Sequence, residues 1–486
     1  MALVTPVSPV PLDELGRVHF AAIGGAGMSG VARIMLARNV AVSGCDSAAS
    51  PQLDELASLG AQVCVGHSAE HLEQADTLVI SSAIRPDNPE LAAARERGLR
   101  VMHRAAALAA LMLDRRSIAI AGTHGKTTTT SMITTALRQC GADPAYVIGG
   151  VLAETGVGAA DGAGPWFVAE ADESDGSFLM FAPDAAVVTC VEADHLDNWG
   201  SLEEIEKAFA AFAARIKPGG LLVLDADDQG TRRLDAVVQA AGLPVRRVSY
   251  GESADADYQL TRVTPAGMST ECEILHYGAP TTLTLAVPGR HNAKNATAAF
   301  ALVVELGFEP AAVAAGLASY QGAMRRMERK GEVGGVLVLD SYAHHPTELA
   351  VDLAAARDIA VGGRVIAIFQ PHLFSRTRIF ASQFAAALDQ ADEIVVLDIY
   401  AAREDPEPGV TSALITDAVP GGRAQFWPDA ATVPDAIADL AKPGDVVLTM
   451  GAGDVTKIGP LIVAALAARS EGAGGTDADQ AEGVTR

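Results

Sequence analysis

Short apolar runs recur along this chain, separated by stretches whose apolar residues fall at helical spacing. Runs at 18–23, 40–43 and 77–81 predict strands in the first part of the chain. Those at 118–121, 166–169, 186–191 and 221–224 predict a second group, and those at 336–339, 365–369, 394–397 and 446–450 a third. A Thr- and Val-rich segment at 258–287 reads as further strand, and 347–360 reads as a helix within the last group. Strands alternating with helices are the signature of parallel sheets with helices packed on them. The expected fold class is α/β, in three domains covering 1–113, 114–324 and 325–470, with sites in the clefts between them. The first residues and the acidic tail 471–486 are expected to be disordered.

Length supports this division, since 486 residues exceed one ordinary core and fit about three domains. The 5% aromatic content and abundant Ala and Gly suit small residues packed between helix and sheet. A net charge of −24 excludes a general nucleic-acid binder, which needs a field that attracts phosphate backbones. Any phosphate site must therefore be local, built from backbone N–H groups, a few cations and a metal. The five cysteines are scattered without a CxxC pair, which argues against a zinc knuckle or redox motif and fits a reducing compartment. No basic and apolar leader opens the chain, and no apolar stretch reaches about 18 residues, so a cytoplasmic protein without a membrane partner is expected.

Chemistry gathers at the ends of the apolar runs. Gly25-Ala-Gly27-Met-Ser-Gly30 follows the first run and opens a helix, and Asp46 follows the second. Such glycines let backbone approach a pyrophosphate at a positive helix N-terminus, so the loop suits a dinucleotide or a UDP diphosphate, and a tight strand–helix turn would look the same. Gly122-Thr123-His124-Gly125-Lys126-Thr127-Thr128 lies between a strand and a helix. Its N–H groups can cradle a triphosphate, with Lys126 on the β/γ phosphates from a solvent-facing loop and the Thr127 hydroxyl on Mg²⁺. The spacing is shorter than GxxxxGK[ST], because residue 120 is Ile.

Two acidic clusters end neighbouring strands: Glu170-Ala-Asp172-Glu173-Ser-Asp175, and Glu192-Ala-Asp194-His195-Leu-Asp197. Carboxylates at the carboxyl edge of a parallel sheet are natural metal ligands, and a solvated acidic loop is the plainer alternative. His195 is a second ligand or an orienting group. Asn292 and Asn295, at i and i+3, can read an adenine edge or cap a helix. The last third carries Arg325-Arg326, Asp340-Ser-Tyr342-Ala-His344-His345-Pro346 and Gln370-Pro-His372-Leu-Phe-Ser-Arg376-Thr-Arg378, whose Arg and His at strand ends suit a carboxylate or phosphate.

In this order the motifs closely resemble the Mur ligase family, related to folylpolyglutamate synthetase, over about residues 17–465. Within it they point to the branch that joins L-alanine to UDP-N-acetylmuramate. The resemblance implies a Rossmann-like UDP-binding domain, a central P-loop ATPase domain with a parallel sheet, and a C-terminal Rossmann-like domain. It turns the glycine loop into a UDP site, with Gly24, Gly25, Ala26, Gly27, Met28, Ser29, Asp46, His67, Ser81 and Ser82 as its residues. It places ATP on Gly122 to Thr128, His291, Asn292, Asn295, Arg326 and Asp340, and the amino acid on Tyr342, His344 and Arg376. Mg²⁺ falls to Thr127, Glu170 and His195, and Lys126, Glu170, His195, Arg326 and His344 form the catalytic set.

Two positions depart from many relatives: Ser341 stands where an acid often does, and Leu373 where an arginine sometimes does. Lys207 is the nearest candidate for the carbamylated lysine that several relatives use. The reaction implied is ATP-dependent amide formation through an acyl phosphate, since a carboxylate lacks a leaving group until phosphorylated, in a monomer or weak homodimer. Rival readings are a recycling ligase that adds a preformed peptide to the same UDP-sugar, a nicotinamide oxidoreductase, and a P-loop switch or motor.

Overall fold

The computed structural model describes residues 3–402 and 404–478, with backbone alone at 26, 197 and 471–478. The first sheet contains β1 (Val18–Ala21), β2 (Val42–Asp46), β3 (Gln62–Val65), β4 (Thr77–Ile80) and β5 (Arg100–His103), in the order β3-β2-β1-β4-β5. All its pairings are parallel. Helices α1 (Ala26–Ala37), α2 (Pro51–Ser58), α3 (Pro89–Glu96) and α4 (Arg104–Met112) connect these strands or follow them. The order reverses at β1, whose carboxyl end carries the glycine loop, and such a switch point opens a crevice for a ligand.

The second sheet comprises β6 (Arg116–Ala121), β7 (Ala145–Val147), β8 (Ala159–Ala160), β9 (Trp166–Glu170), β10 (Ala185–Val188), β11 (Leu221–Asp225), β12 (Arg246–Gly251), β13 (Tyr258–Ala266), β14 (Ser269–His276) and β15 (Ala279–Leu285). Its order is β15-β14-β13-β12-β11-β10-β6-β9-β7-β8. Strands β9 and β10 flank β6 in parallel, so the two acidic clusters end on either side of the phosphate loop. Helices α5 (Lys126–Gln139), α6 (Leu196–Trp199), α7 (Leu202–Ala213), α8 (Gln229–Ala240), α9 (Arg290–Glu305) and α10 (Pro310–Ala318) belong to this stretch. The apolar runs of β6 and β10 are buried almost throughout, as strands covered on both faces must be.

The third sheet is β16 (Glu328–Val333), β17 (Val336–Ser341), β18 (Val365–Phe369), β19 (Glu393–Val396), β20 (Ala424–Phe426) and β21 (Val446–Met450), ordered β16-β17-β21-β18-β19-β20. Only β16 runs antiparallel to its neighbour among these described strands. Its helices are α11 (Pro346–Ile359), α12 (Phe374–Leu388), α13 (Ala413–Thr416), α14 (Val433–Leu440) and α15 (Ile458–Ala478).

By contacts the described chain forms two compact units, one holding residues up to 262 with 272–284 and 294–321, the other 263–271, 285–293 and the residues from 322 onward. The first sheet and most of the second share the first unit because they share a core. Met35 of α1 and Leu108 of α4 pack in the same cluster as Phe167 of β9 and Phe209 of α7. Arg38 ties the parts further, donating to Asp161 at 2.9 Å and to the Leu111 carbonyl at 2.9 Å.

Both expected disordered ends differ from the description. The Val4 N–H donates to the Asp175 carbonyl at 2.8 Å, and Val4, Val10 and Leu12 pack on the core, because the opening segment alternates prolines with apolar residues that have a surface to cover. Helix α15 runs to Ala478, and Ile462 and Leu466 anchor its first half in the core. Residues 479–486 lie outside the described residues.

Candidate active site

The phosphate loop is shaped by two glycines. Gly122 has φ +129°, and a side chain there would run into the Thr189 hydroxyl beyond β10. Gly125, at φ +80°, precedes the first turn of α5, and a Cβ on it would lie 2.8 Å from Asn295 Oδ1. Asn295 is thus set against the loop itself. Thr123 accepts from the Glu192 N–H at 2.9 Å, and His124 Nε2 lies 3.7 Å from Glu192 Oε2, so the second acidic cluster braces the loop from one side.

Lys126 is not solvent-facing. Its ammonium donates to the Gly122 carbonyl at 2.6 Å, the Thr123 carbonyl at 3.1 Å and Glu173 Oε1 at 3.0 Å, with Glu173 Oε2 at 2.8 Å. Burial works against its charge, but Glu173, Asp172 and Glu170 outweigh burial and hold its pKa above the ordinary lysine range. Burial raises the Glu173 carboxyl, against the pull of Lys126. For Asp172 the balance goes the other way: burial is overcome by Lys126, the Ser174 N–H and Arg104, and its pKa falls. The loop thus holds its cation against a buried carboxylate in place of phosphate oxygens.

Thr127 and Glu170 are brought together as expected, the hydroxyl donating to Glu170 Oε1 at 3.2 Å. The other carboxylate oxygen accepts from the Gly149 N–H at 2.8 Å. A hydroxyl and a carboxylate beside a phosphate cradle are the hard oxygen donors that Mg²⁺ takes. His195, left-handed at φ +50°, heads the short helix α6. Its Nε2 lies 3.5 Å from Asp194 Oδ2 and 4.0 Å from Glu173 Oε1, so its recorded ionic neighbours are these acids and not Glu170. Lys207 lies on the exposed face of α7, paired with Glu203 and Glu204, and is no partner of this cluster.

At the glycine loop, the Gly24 N–H donates to Asp46 Oδ2 at 3.0 Å, and Ser29 and Met28 bond back to the Gly25 carbonyl. Asp46 therefore holds the loop as well as standing at the end of β2. Met28 corrects the expectation in part: its side chain is buried in the core, which leaves only its backbone for a ligand. The side chain of Ala26 lies outside the described residues. His67 turns Nδ1 to Cys45 Sγ at 3.0 Å and Glu90 Oε2 at 3.1 Å. Ser82 donates to Asp175 Oδ2 at 2.5 Å and pairs with His103 Nε2 at 3.1 Å, joining the first sheet's edge to the first acidic cluster. Ser81 directly follows β4, half-buried.

His103 and Arg104 were not among the residues read from the sequence, yet they form this junction with the acidic cluster at 172–175. A Cβ on Gly27 would meet Arg104 Nη1 at 2.7 Å, so one guanidinium lies against the glycine loop while acting electrostatically on Asp172. The signal was a His-Arg pair heading the otherwise Ala-rich helix α4 at a strand's carboxyl end.

The second unit gathers its own polar set. Arg325 and Arg326 lie over the Tyr342 ring at 4.8 and 5.3 Å, and His344 meets that ring edge-on at 5.2 Å. His344 Nδ1 is 2.9 Å from the Tyr342 carbonyl, which makes Nδ1 the donor and Nε2 the basic nitrogen. Glu348 accepts from the His344 N–H at 3.0 Å and lies 3.9 Å from Arg326.

Asp340 does not fit a nucleotide contact. It is fully buried, and its oxygens accept from Thr449 at 2.7 Å and Thr456 at 2.8 Å, because the carboxylate stitches β17 to β21 and the segment after it. Ser341, the missing acid, donates to buried Asp352, whose pKa is pushed up to about 7 by burial despite that bond. His291 Nε2 lies 3.7 Å from the same Asp352, and burial and Arg326 push its pKa down to about 4. Asn292 donates through its side-chain amide to the Pro288 carbonyl at 2.6 Å. Arg376 is buried in the first turn of α12, which Leu373 opens in a left-handed conformation at φ +70°.

Models of one protein family match along most of the chain. The model of the Mur ligase family, catalytic domain, matches residues 17–116, that of the Mur ligase middle domain 120–303, and that of the Mur ligase, glutamate ligase domain 325–453. The UDP-N-acetylmuramate–L-alanine ligase of Thermobifida fusca is 56% identical, over 96% of this chain and all of that protein. The enzyme of the same name from Kineococcus radiotolerans is 54% identical over 94% and 97%. Among solved structures, the UDP-N-acetylmuramate-alanine ligase MurC of Thermotoga maritima superposes with a TM-score of 0.78 at 29% identity, covering 93% of this chain and 99% of that one. The murein peptide ligase of Psychrobacter arcticus gives 0.68 at 25%, covering 93% and 98%. With matches on all three sheets and a phosphate loop flanked by paired acidic strand ends, the chain belongs to the Mur ligase family.

Proposed function

We propose that this enzyme joins L-alanine to the carboxylate of UDP-N-acetylmuramate at the expense of ATP, through an acyl phosphate, in peptidoglycan precursor synthesis. The observation that carries the reading is the meeting of Lys126, Thr127, Glu170 and Glu173 at one loop, in a chain more than half identical to full-length relatives of that name.

Lys126 exchanges its Glu173 contact for the β/γ phosphates of ATP, and offsets charge on the transferring phosphoryl group. Thr127 and Glu170 would hold Mg²⁺, with His195 beside them against Glu173; bound there, the ion would supply Lewis-acid stabilisation of phosphate charge. Asn295 sits against the loop and serves the nucleotide. The first turn of α1 and Asp46 receive the UDP moiety, with Ser81 and Ser82 at the neighbouring strand end. In the second unit Tyr342, His344 and Arg376 serve the amino acid, with His344 Nε2 oriented to take the proton that the attacking amine must lose. The domains follow the three sheets, with boundaries near 113 and 324.

Phosphate release should require UDP-N-acetylmuramate and L-alanine together. Turnover with a preformed peptide and none with L-alanine would move the enzyme to the recycling reaction that the name of its Psychrobacter neighbour describes. Turnover without the UDP-sugar would overturn the reading altogether.

A further inference from the structure

Beneath α3, away from the phosphate loop, the first sheet buries an unusual set of donors. His19 from β1, Cys45 from β2, His71 from the turn Ala69–Leu72 and Glu90 from α3 bring one donor atom each within 4.8 Å of one another. His19, Cys45 and Glu90 are essentially inaccessible to solvent. Glu90 Oε1 lies 2.8 Å from Cys45 Sγ, 2.9 Å from His71 Nδ1 and 3.6 Å from His19 Nε2.

We infer that these four residues form a closed site for a divalent transition metal of the zinc type. The donor set is two imidazoles, one thiolate and one carboxylate, the mixture that zinc takes with tetrahedral geometry and that Mg²⁺ or Ca²⁺ refuses. Zinc's bonds of about 2.0–2.3 Å to these atoms place tetrahedral ligands roughly 3.3–3.6 Å apart, so the contacts of Glu90 with Cys45 and His71 need a small expansion around an ion and that with His19 already fits. Charge closes as well: one thiolate and one carboxylate neutralise a dication, which a buried site requires.

A second observation points to a ligand independently of the clustering. His19 Nδ1 is 2.8 Å from Ser43 Oγ, which fixes the ring. Its other nitrogen, Nε2, is buried, has no hydrogen-bond partner and aims into the cluster. A ring held through one nitrogen with the other presented inward is the arrangement of a metal-bound histidine. His67 supplies the matching outer contact, meeting Glu90 Oε2 at 3.1 Å and so steadying the carboxylate through the oxygen that the four-atom set leaves over.

Cys45 Sγ donates to Glu90 Oε1 at 2.8 Å, the contact of a thiol that keeps its proton. Metal entry therefore expels one proton from Cys45 while Sγ bonds to the ion; no oxidant or reductant is involved. With four protein ligands and no open position the site is structural. It clamps α3 and the turn at 69–72 to the strands that carry the glycine loop and Asp46.

Cobalt(II) reports the site directly, because a thiolate ligand gives a charge-transfer band that oxygen ligands lack. Chelator-stripped full-length enzyme, held in excess Mg²⁺ to fill oxygen-lined sites, should bind one Co²⁺ with such a band and release about one proton. Cys45→Ser should abolish the band, whereas Cys64→Ser and Cys190→Ser should keep it. Ser43→Ala should weaken binding by about 10–100-fold, the cost of losing an outer hydrogen bond. X-ray absorption of zinc-loaded wild type should give one sulfur and three N/O neighbours, a readout independent of how any variant folds. No thiolate band in wild type, an unchanged band in Cys45→Ser, or an all-oxygen zinc shell would overturn the proposal.

Discussion

Replacing Lys126 with Met separates two jobs of one side chain. Lys126 is largely buried, and its ammonium sits 2.8 Å from Glu173, itself 3% exposed, with Asp172 also acting on it. Removing one member of such a pair leaves the other as an uncompensated buried charge, at a cost of about 3–5 kcal/mol. The first compact unit holds roughly 300 residues, for which entropies of about 2.1 cal/mol/K per residue make each kcal/mol worth about 1.5 °C. Lys126→Met should therefore lower the first melting transition by about 5–8 °C in calorimetry without nucleotide. Glu173→Gln added to it removes the stranded charge and should restore most of that loss. Turnover should fall by at least about 10²–10³ in both variants, since neither offers a cation to the phosphates. An unchanged melting temperature would refute the buried-pair reasoning. Recovery of turnover in the double variant would show that Lys126 serves only as a counterion to Glu173, and near-normal turnover in the single one would refute the phosphate-loop reading.

Glu170→Gln keeps the shape at Thr127 but weakens the oxygen donor, so the Mg²⁺ concentration for half-maximal activity should rise at least about tenfold; an unshifted Mg²⁺ titration would put the metal elsewhere. Gly122→Ala forces a side chain at φ +129° against the Thr189 hydroxyl, and should cost about 1–3 kcal/mol in urea unfolding together with most of the turnover; wild-type behaviour in both would refute the loop geometry. Asp352, raised from 3.8 to about 7, favours folding most when protonated. That stability is complete below about pH 3.8 and is lost as pH climbs through 7, so between pH 4 and 7 wild type should lose about 4 kcal/mol relative to Asp352→Asn, at 1.36 kcal/mol per pKa unit. Parallel stability–pH curves for the two proteins would overturn that account.

The sequence alone was enough to read what depends on contiguous residues. Parallel strands covered on both faces are apolar runs, so β6, β10, β18 and β21 stand out, and the run 122–128 that opens α5 directly follows one of them. Edge strands were lost: β3 is mostly exposed, and β8 is two residues long. What tertiary structure decided is which distant side chains meet. Lys126 finds Glu173, 47 residues on, and Asp340 is consumed by Thr449 and Thr456 more than a hundred residues away. The first sheet and most of the second become one unit because α1 packs on β7 and β8 and α4 on the turn at 177–180, a match of surfaces that neither periodicity reveals. The cluster at 19, 45, 71 and 90 likewise has no spacing signature, since its four members come from four elements. Periodicity records which face of an element is buried; only the packed sheet determines what that face is buried against.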